Sequence, residues 1–377
     1  MKKLLISFLF AIFVFYAFAA DIPEGVSSER GESNPAEVPK KDRIMGAVMG
    51  VLIGDALGVG SHWYYDLKAL KKDFGPWISD YSDPQPNGAT RHVDIHKHRY
   101  EEGIRAGDVS QTGQLCIMLL ESVAEKGAYD RKDFTSRVDK FFETLDGTRL
   151  SGRFTDQAIR DTWKDRHDGI GWDDPTVGGN AITSESAQMN TILAALYYKD
   201  ATRLAKEAHR NHTVFYDNDF SATHSISYAL VVGGLIDGVP LAEIRKYRSS
   251  VKRGILSKIA PFPDSRSQVE TGTIVWNPDI TFDPPHLISQ VYGAHCEIQQ
   301  LLPASYYLIH RYPDNFEKAV LAAINGGGNN MARAALTGGM SGAMVGLKGI
   351  PNRFIKGLKD HKRLLELAET VAELAEK

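Results

Sequence analysis

The chain has 377 residues, with 44 Lys and Arg against 47 Asp and Glu and a formal net charge of −3. That balance removes the electrostatic basis for binding nucleic acid, and two cysteines in so long a chain exclude a disulfide framework. The length is enough to bury one large core or two smaller ones.

Residues 1–20 open on basic Met1-Lys2-Lys3 and run apolar from Leu4 to Phe18, broken at Ser7. They end on the small residues Ala17, Ala19 and Ala20 before Asp21. This is the pattern of a secretory signal peptide, too short for a membrane span. It predicts a periplasmic or secreted protein with no membrane partner after cleavage. Residues 21–40, rich in Pro, Ser, Glu and Gly, read as a flexible tether, which leaves 41–377 as the folded domain.

A helix is predicted from Asp42 to Leu57, with Gly46, Gly50, Gly54 and Gly58 every four residues. Asp55 lies near its C-terminal end, poorly placed against the helix dipole; it reads as a hydrogen-bonded structural acid or a pocket acid. His62, Trp63, Tyr64 and Tyr65 suit a sugar or base platform, or core packing. After a Pro/Gly/Asp-rich loop over 74–92 come His92, His96 and His98, whose spacing fits no common zinc pattern. Ligand contact or a satisfied structural cluster is the better reading of the three.

Asp108 and Ser110 precede a helix from Leu115 to Lys126, and another helix covers Asp133 to Leu145. Residues 146–180 look loop-rich. Thr183–Ser186 resembles an N-cap region with Glu185 in the first turn, opening a helix through Tyr198. Further helices are predicted over 200–211, 225–236 and 241–259. Residues 260–290, with several prolines and the acids Asp264, Glu270, Asp279 and Asp283, form a long irregular excursion of the kind that carries function.

Helices resume over 289–311 and 315–324, and an amphipathic helix covers 360–376. Between them lies a second small-residue ladder, Gly338, Gly342 and Gly346 beside Ala335, Gly339 and Ala343. Before it, Gly326-Gly327-Gly328 can turn backbone N–H groups to a polar ligand. Four helical glycines cost roughly 3–4 kcal/mol against alanine. A close helix–helix or helix–ligand approach offsets that. The expectation is two glycine-ladder helices crossing at the centre with a pocket at their ends. Period-2 alternation is almost absent, so the fold class is all-α.

Met45–Gly58, Ser61–Asp66, His96–Arg99, Gly107-Asp108, Ile182–Met189 and Ala322–Pro351 together resemble the ADP-ribosylglycohydrolase family. The middle segments look most like the branch that includes jellyfish lens crystallins and many uncharacterised bacterial proteins. The resemblance implies a single-domain, all-α orthogonal bundle, a pocket at the helix ends, and cleavage of a glycosidic bond at a ribofuranose. Active members hold two Mg²⁺ ions with Thr-Asp-Asp-Thr and Gly-Asp-x-Asp-Thr segments. Here the corresponding stretches are Ser110-Gln-Thr-Gly113 and Gly328-Asn-Asn-Met-Ala332, without a carboxylate. Mg²⁺ prefers hard, charged oxygen ligands, and Gln111 and Asn329 offer only neutral amide oxygens. No metal and no cofactor are therefore expected. His62 stands where the family often has an acid.

What remains is a metal-free glycoside hydrolase on a furanosyl or nucleoside-like substrate, a small molecule or glycan. It needs a proton donor and a second carboxylate. The candidate acids are Asp55, Asp108, Glu185 and Glu270, with Asp108 and Glu185 the leading pair. His62, His96, His98, Arg99, Ser110, Gln111, Asn329 and Asn330 are candidate substrate contacts, and Trp63 a stacking platform. Two alternatives stand beside this: an inactive sugar- or nucleotide-binding member, and an ADP-ribosyl hydrolase with non-standard ligands such as Asp108 and the histidines. Two carboxylates about 5–10 Å apart in one cavity favour a hydrolase; a single acid favours a binder.

Overall fold

The computed structural model describes residues 38–264 and 281–377. Among them are seventeen α-helices and no strand. They are α1 (Lys40–Val59), α2 (Leu67–Phe74), α3 (Val93–Glu101), α4 (Gln111–Lys126), α5 (Arg131–Phe142), α6 (Gln157–His167), α7 (Glu185–Tyr197), α8 (Ala201–His212) and α9 (Asp219–Ile236), then α10 (Ile244–Ser249), α11 (Leu256–Ile259), α12 (Ile288–Tyr292), α13 (Ile298–Arg311), α14 (Phe316–Asn325), α15 (Asn330–Val345), α16 (Asn352–Gly357) and α17 (His361–Glu376). The signal-peptide segment, most of the tether and Glu270 lie outside the described residues. No helix among those described is long and apolar enough to cross a membrane.

The two glycine ladders meet. Helices α1 and α15 run antiparallel with their backbones in contact. A Cβ on Gly46, Gly50 or Gly54 would lie 2.3, 2.2 or 2.1 Å from the carbonyl oxygens of Gly342, Gly338 and Ala334. The contact is reciprocal: a Cβ on Gly338 would lie 2.1 Å from Gly50 O, and one on Gly342 2.0 Å from Gly46 O. Only glycine permits this spacing, which brings Cα–H groups onto facing carbonyls. The second stripe of α15 faces α9, where a Cβ on Gly339 would lie 2.5 Å from the Tyr228 hydroxyl. Helices α7 and α9 are buried almost all round, as befits helices without a polar face.

Several expectations change. The helix expected over 241–259 is a short 3-10 turn, α10 and α11, broken by Gly254 at φ +82°. That expected over 289–311 is α12 and α13, interrupted at Gly293 with φ +109°. Helix α6 lies in the stretch read as loop; only Ala158, Ile159 and Thr162 of its residues are buried, so its apolar period is faint. The triple glycine does not offer free N–H groups. Gly327 N donates to Ile324 O at 3.2 Å, Gly328 N to Tyr64 O at 2.6 Å and Asn329 N to Ala294 O at 2.8 Å. Cys116 and Cys296 are free thiols, the first buried and the second partly so.

Candidate active site

Four helix N-termini converge on one narrow cleft of about 20 Å³, room for a water-sized group. Helix α4 contributes Ser110, Gln111 and Thr112, α7 contributes Glu185 and Gln188, and α15 contributes Asn329, Met331 and Ala332. Asp156 enters from the N-cap position of α6. His62, Trp63 and Phe154 complete the walls. Trp63 stacks on His62 at 4.4 Å between centroids and meets Phe154 edge-on at 5.2 Å.

Asp156 and Glu185 are the two acids of the cleft. Thr183 Oγ1 lies 2.5 Å from Glu185 Oε2 and 3.2 Å from Asp156 Oδ1. One hydroxyl thus holds the two carboxyl oxygens within about 6 Å of each other. Tyr216 donates a short hydrogen bond to Glu185 Oε2. Its ring stacks on buried His212 at 4.8 Å, and its backbone is fixed by the Gly179–Tyr216 bridge. Burial, then the nearby Asp156 charge, pushes the Glu185 pKa up to about 8, against the pull of Thr183 and Tyr216. Asp156, open to the cleft and crowded elsewhere by protein, is raised as well by desolvation. At neutral pH the pair therefore keeps one proton.

The loop that carries Phe154 and Asp156 is held from two sides. Arg99, buried, donates through Nε to Arg153 O at 3.1 Å and through Nη1 to Val59 O at 3.2 Å and His62 O at 2.9 Å. Gln111 Nε2 donates to Gly152 O at 2.9 Å and to Thr155 Oγ1 at 2.9 Å. Arg153 and Phe154 have φ of 75° and 83°, a strained region for side-chain-bearing residues that this bracing sustains.

Arg99 also sets the tautomer of His62. Its Nη2 lies 3.3 Å from His62 Nδ1. A guanidinium only donates, so Nδ1 accepts and the neutral ring carries its proton on Nε2. Burial, then the Arg99, His96 and His92 charges, holds the His62 pKa well below the usual range, with Asn329 alongside opposing the shift. His62 Nε2 has no partner in normal hydrogen-bond geometry.

Of the other expected site residues, Asp55 lies beneath the cleft. It accepts from Ser110 N at 2.7 Å and Ser110 Oγ at 2.6 Å, anchoring the start of α4, and burial lifts its pKa to about 6. Asp108 does not line the cleft. It accepts from Arg105 N at 3.0 Å and Lys359 Nζ at 3.0 Å, tying the turn before α4 to the C-terminal segment. The leading pair of acids is therefore not brought together, and Asp156 takes the second place. Asp108→Asn should leave turnover within about twofold and lower stability by about 1–2 kcal/mol, read from paired activity and urea-unfolding measurements.

Arg99 spends its hydrogen bonds on three backbone carbonyls and on His62 Nδ1, and it does not line the cleft. His96 is buried with its ring nitrogens 3.1 and 3.2 Å from the Trp63 and Gln85 N–H groups; burial lowers its pKa to about 3, and the neutral ring accepts from one of them. His98 is not on the cleft wall, and Asn330 is buried, donating to Ser61 Oγ at 2.8 Å and Ile324 O at 3.1 Å.

The residues at the family's two metal segments do not fit a pair of hard cations. Ser110 Oγ donates to Asp55 and Asn329 Oδ1 caps Ala332 N at 3.3 Å. Gln111 Oε1 is a lone neutral oxygen, while the other unpartnered polar atoms of the residues lining the cleft are N–H donors, His62 Nε2 and Trp63 Nε1. Among the described residues no three His, Cys, Asp or Glu side chains converge on a metal-sized site.

Comparison with known proteins places the chain in a family. The chain is 22% identical over 336 residues to an uncharacterised protein of Archaeoglobus fulgidus, covering 89% of this chain and 97% of that one. It is 22% identical over 346 residues to crystallin J1A of Tripedalia cystophora, covering 89% and 98%. A solved structure described as an ADP-ribosylglycohydrolase-related protein complex superposes with a TM-score of 0.62 at 19% identity, over 89% of this chain and 99% of that one, which shows a shared fold. Residues 36–377 match the ADP-ribosylglycohydrolase family model, and the chain belongs to that hydrolase family.

Proposed function

We propose that this protein is an exported glycoside hydrolase that cleaves a furanosyl or nucleoside-like bond with two carboxyl groups and no metal ion. The observation that carries the reading is the Asp156–Glu185 pair on one cleft wall, joined through the Thr183 hydroxyl. Glu185 keeps its proton at neutral pH and donates it to the leaving oxygen as the glycosidic C–O bond breaks. Ionised Asp156 bonds to the anomeric carbon, the separation being too small to seat water between the acids. Glu185, now ionised, takes a proton from water, whose oxygen displaces Asp156 and restores both groups. The apolar, basic-headed segment over 1–20 supports export.

The test is a screen of furanosyl glycosides and ADP-ribosylated peptides with and without EDTA. Turnover of a furanosyl glycoside should survive EDTA and fall by about 10²–10⁴-fold in Asp156→Asn. Activity lost to EDTA and restored by Mg²⁺ would overturn the metal-free reading. A second reading, a sugar-binding protein without turnover, is favoured by the narrowness of the cleft. It expects saturable binding and no product from any compound in the screen.

A further inference from the structure

Three side chains on the cleft wall each keep one buried polar atom without a partner in normal hydrogen-bond geometry: His62 Nε2, which has Asn329 alongside, Trp63 Nε1 and Gln111 Oε1. Their hydrogen-bond polarity can be assigned. The indole N–H only donates. His62 Nε2 carries the proton, because Nδ1 accepts from Arg99. The Gln111 amide is oriented by its NH₂ end: Thr155 commits its own proton to Ser151 O at 2.8 Å, so it accepts from Gln111 Nε2 at 2.9 Å. Oε1 is left as an acceptor. Buried polar groups are nearly always satisfied, and orphans gathered on one wall point to a ligand or water.

Two donors and one acceptor are the complement of one hydroxyl, which accepts twice and donates once. A carboxylate or phosphate oxygen would satisfy the N–H groups but face Gln111 Oε1 without a proton to give. A cation would meet two N–H donors. The cleft has room for a group of about hydroxyl size, and Trp63 provides an aromatic ring beside it. We infer that His62, Trp63 and Gln111 form a subsite that reads a single free hydroxyl of an uncharged sugar ring. This specifies the substrate side of the hydrolase proposed above and rests on that reading for the identity of the ligand.

The test uses methyl β-D-ribofuranoside and its 2-, 3- and 5-deoxy counterparts, with binding followed by calorimetry on the full chain. One deoxy compound should bind about tenfold or more weakly than the parent. Trp63→Phe, which keeps a ring and removes the N–H, should bring the parent down to that compound's affinity. It should leave the deoxy compound itself unchanged. Equal losses on both compounds, or no binding of the parent, would overturn the subsite. A second measurement needs no ligand: ¹⁵N-histidine NMR should show His62 as the Nε2–H tautomer, with no titration in the ordinary imidazole range. An Nδ1–H ring, or a titrating one, would also overturn it. Hydroxyl discrimination without turnover would support the subsite and count against the hydrolase. Turnover without discrimination would do the reverse.

Discussion

Glu185→Gln should reduce kcat on a furanosyl glycoside by about 10²–10⁴-fold while the protein stays folded. The amide keeps the shape of the carboxyl and can still accept from Tyr216 and Thr183, but it has no proton to give. The pH dependence should report the same group. In the native protein activity should fall as pH rises through about 8, where Glu185 ionises. The acid limb, set by protonation of Asp156, should lie above the ordinary aspartate range.

Stability should move in the opposite sense to a surface carboxylate. The folded protein holds the Glu185 proton up to about pH 8, and the unfolded chain releases it near 4.5. The fold is thus unpenalised below the lower value and loses stability as pH rises toward the upper one, by on the order of a few kcal/mol. Glu185→Gln lacks that decline, so at pH 8 it should unfold at higher urea than the parent while being far less active. A variant both inactive and less stable at pH 8 would show that Glu185 holds the fold rather than the proton.

The second large effect belongs to the helix crossing. Gly50→Ala and Gly338→Ala should each destabilise by about 3–5 kcal/mol in urea unfolding. Alanine improves helix propensity by about 1 kcal/mol, so propensity alone predicts the opposite sign. The new Cβ would sit 2.2 or 2.1 Å from a carbonyl oxygen of the facing helix. Backbone cannot swing aside as a side-chain tip can, so the two helices must part. The double variant should cost less than the sum, since once the helices have parted the second methyl meets little. Gly171→Ala is the control: nothing lies within 4 Å of its Cβ position, and its effect should stay within about 0.5 kcal/mol.

The crossing was legible because it is written locally: four glycines at one spacing in the first stretch and three in the second imply a bare helix face wherever it lands. Glu185 was legible for a similar reason, as an acid in the first turn after an N-cap. Asp108 carried almost the same local signal, an acid just before a helix. What separates the two is Lys359, which claims Asp108 from 251 positions away, and no local pattern encodes that pairing. Asp156 gave no signal. It precedes a helix with a faint apolar period and owes its place to a strained loop held by Arg99 and Gln111 from other parts of the chain. Arg99 and His96 were read as ligand contacts on residue type. Apart from the Arg99 bond to His62 Nδ1, their actual partners are backbone groups, which every residue supplies and the sequence therefore does not distinguish.

Gly50 and Gly338 lie 288 positions apart, so α1, once it has left the ribosome, must wait for nearly the whole polypeptide before its partner exists. Until then its side-chain-free strip has nothing to dock against. Closing so wide a span is slow, and incomplete chains expose apolar surface in the meantime. Truncation anywhere before α15 should therefore yield not a smaller working unit but a client for chaperones.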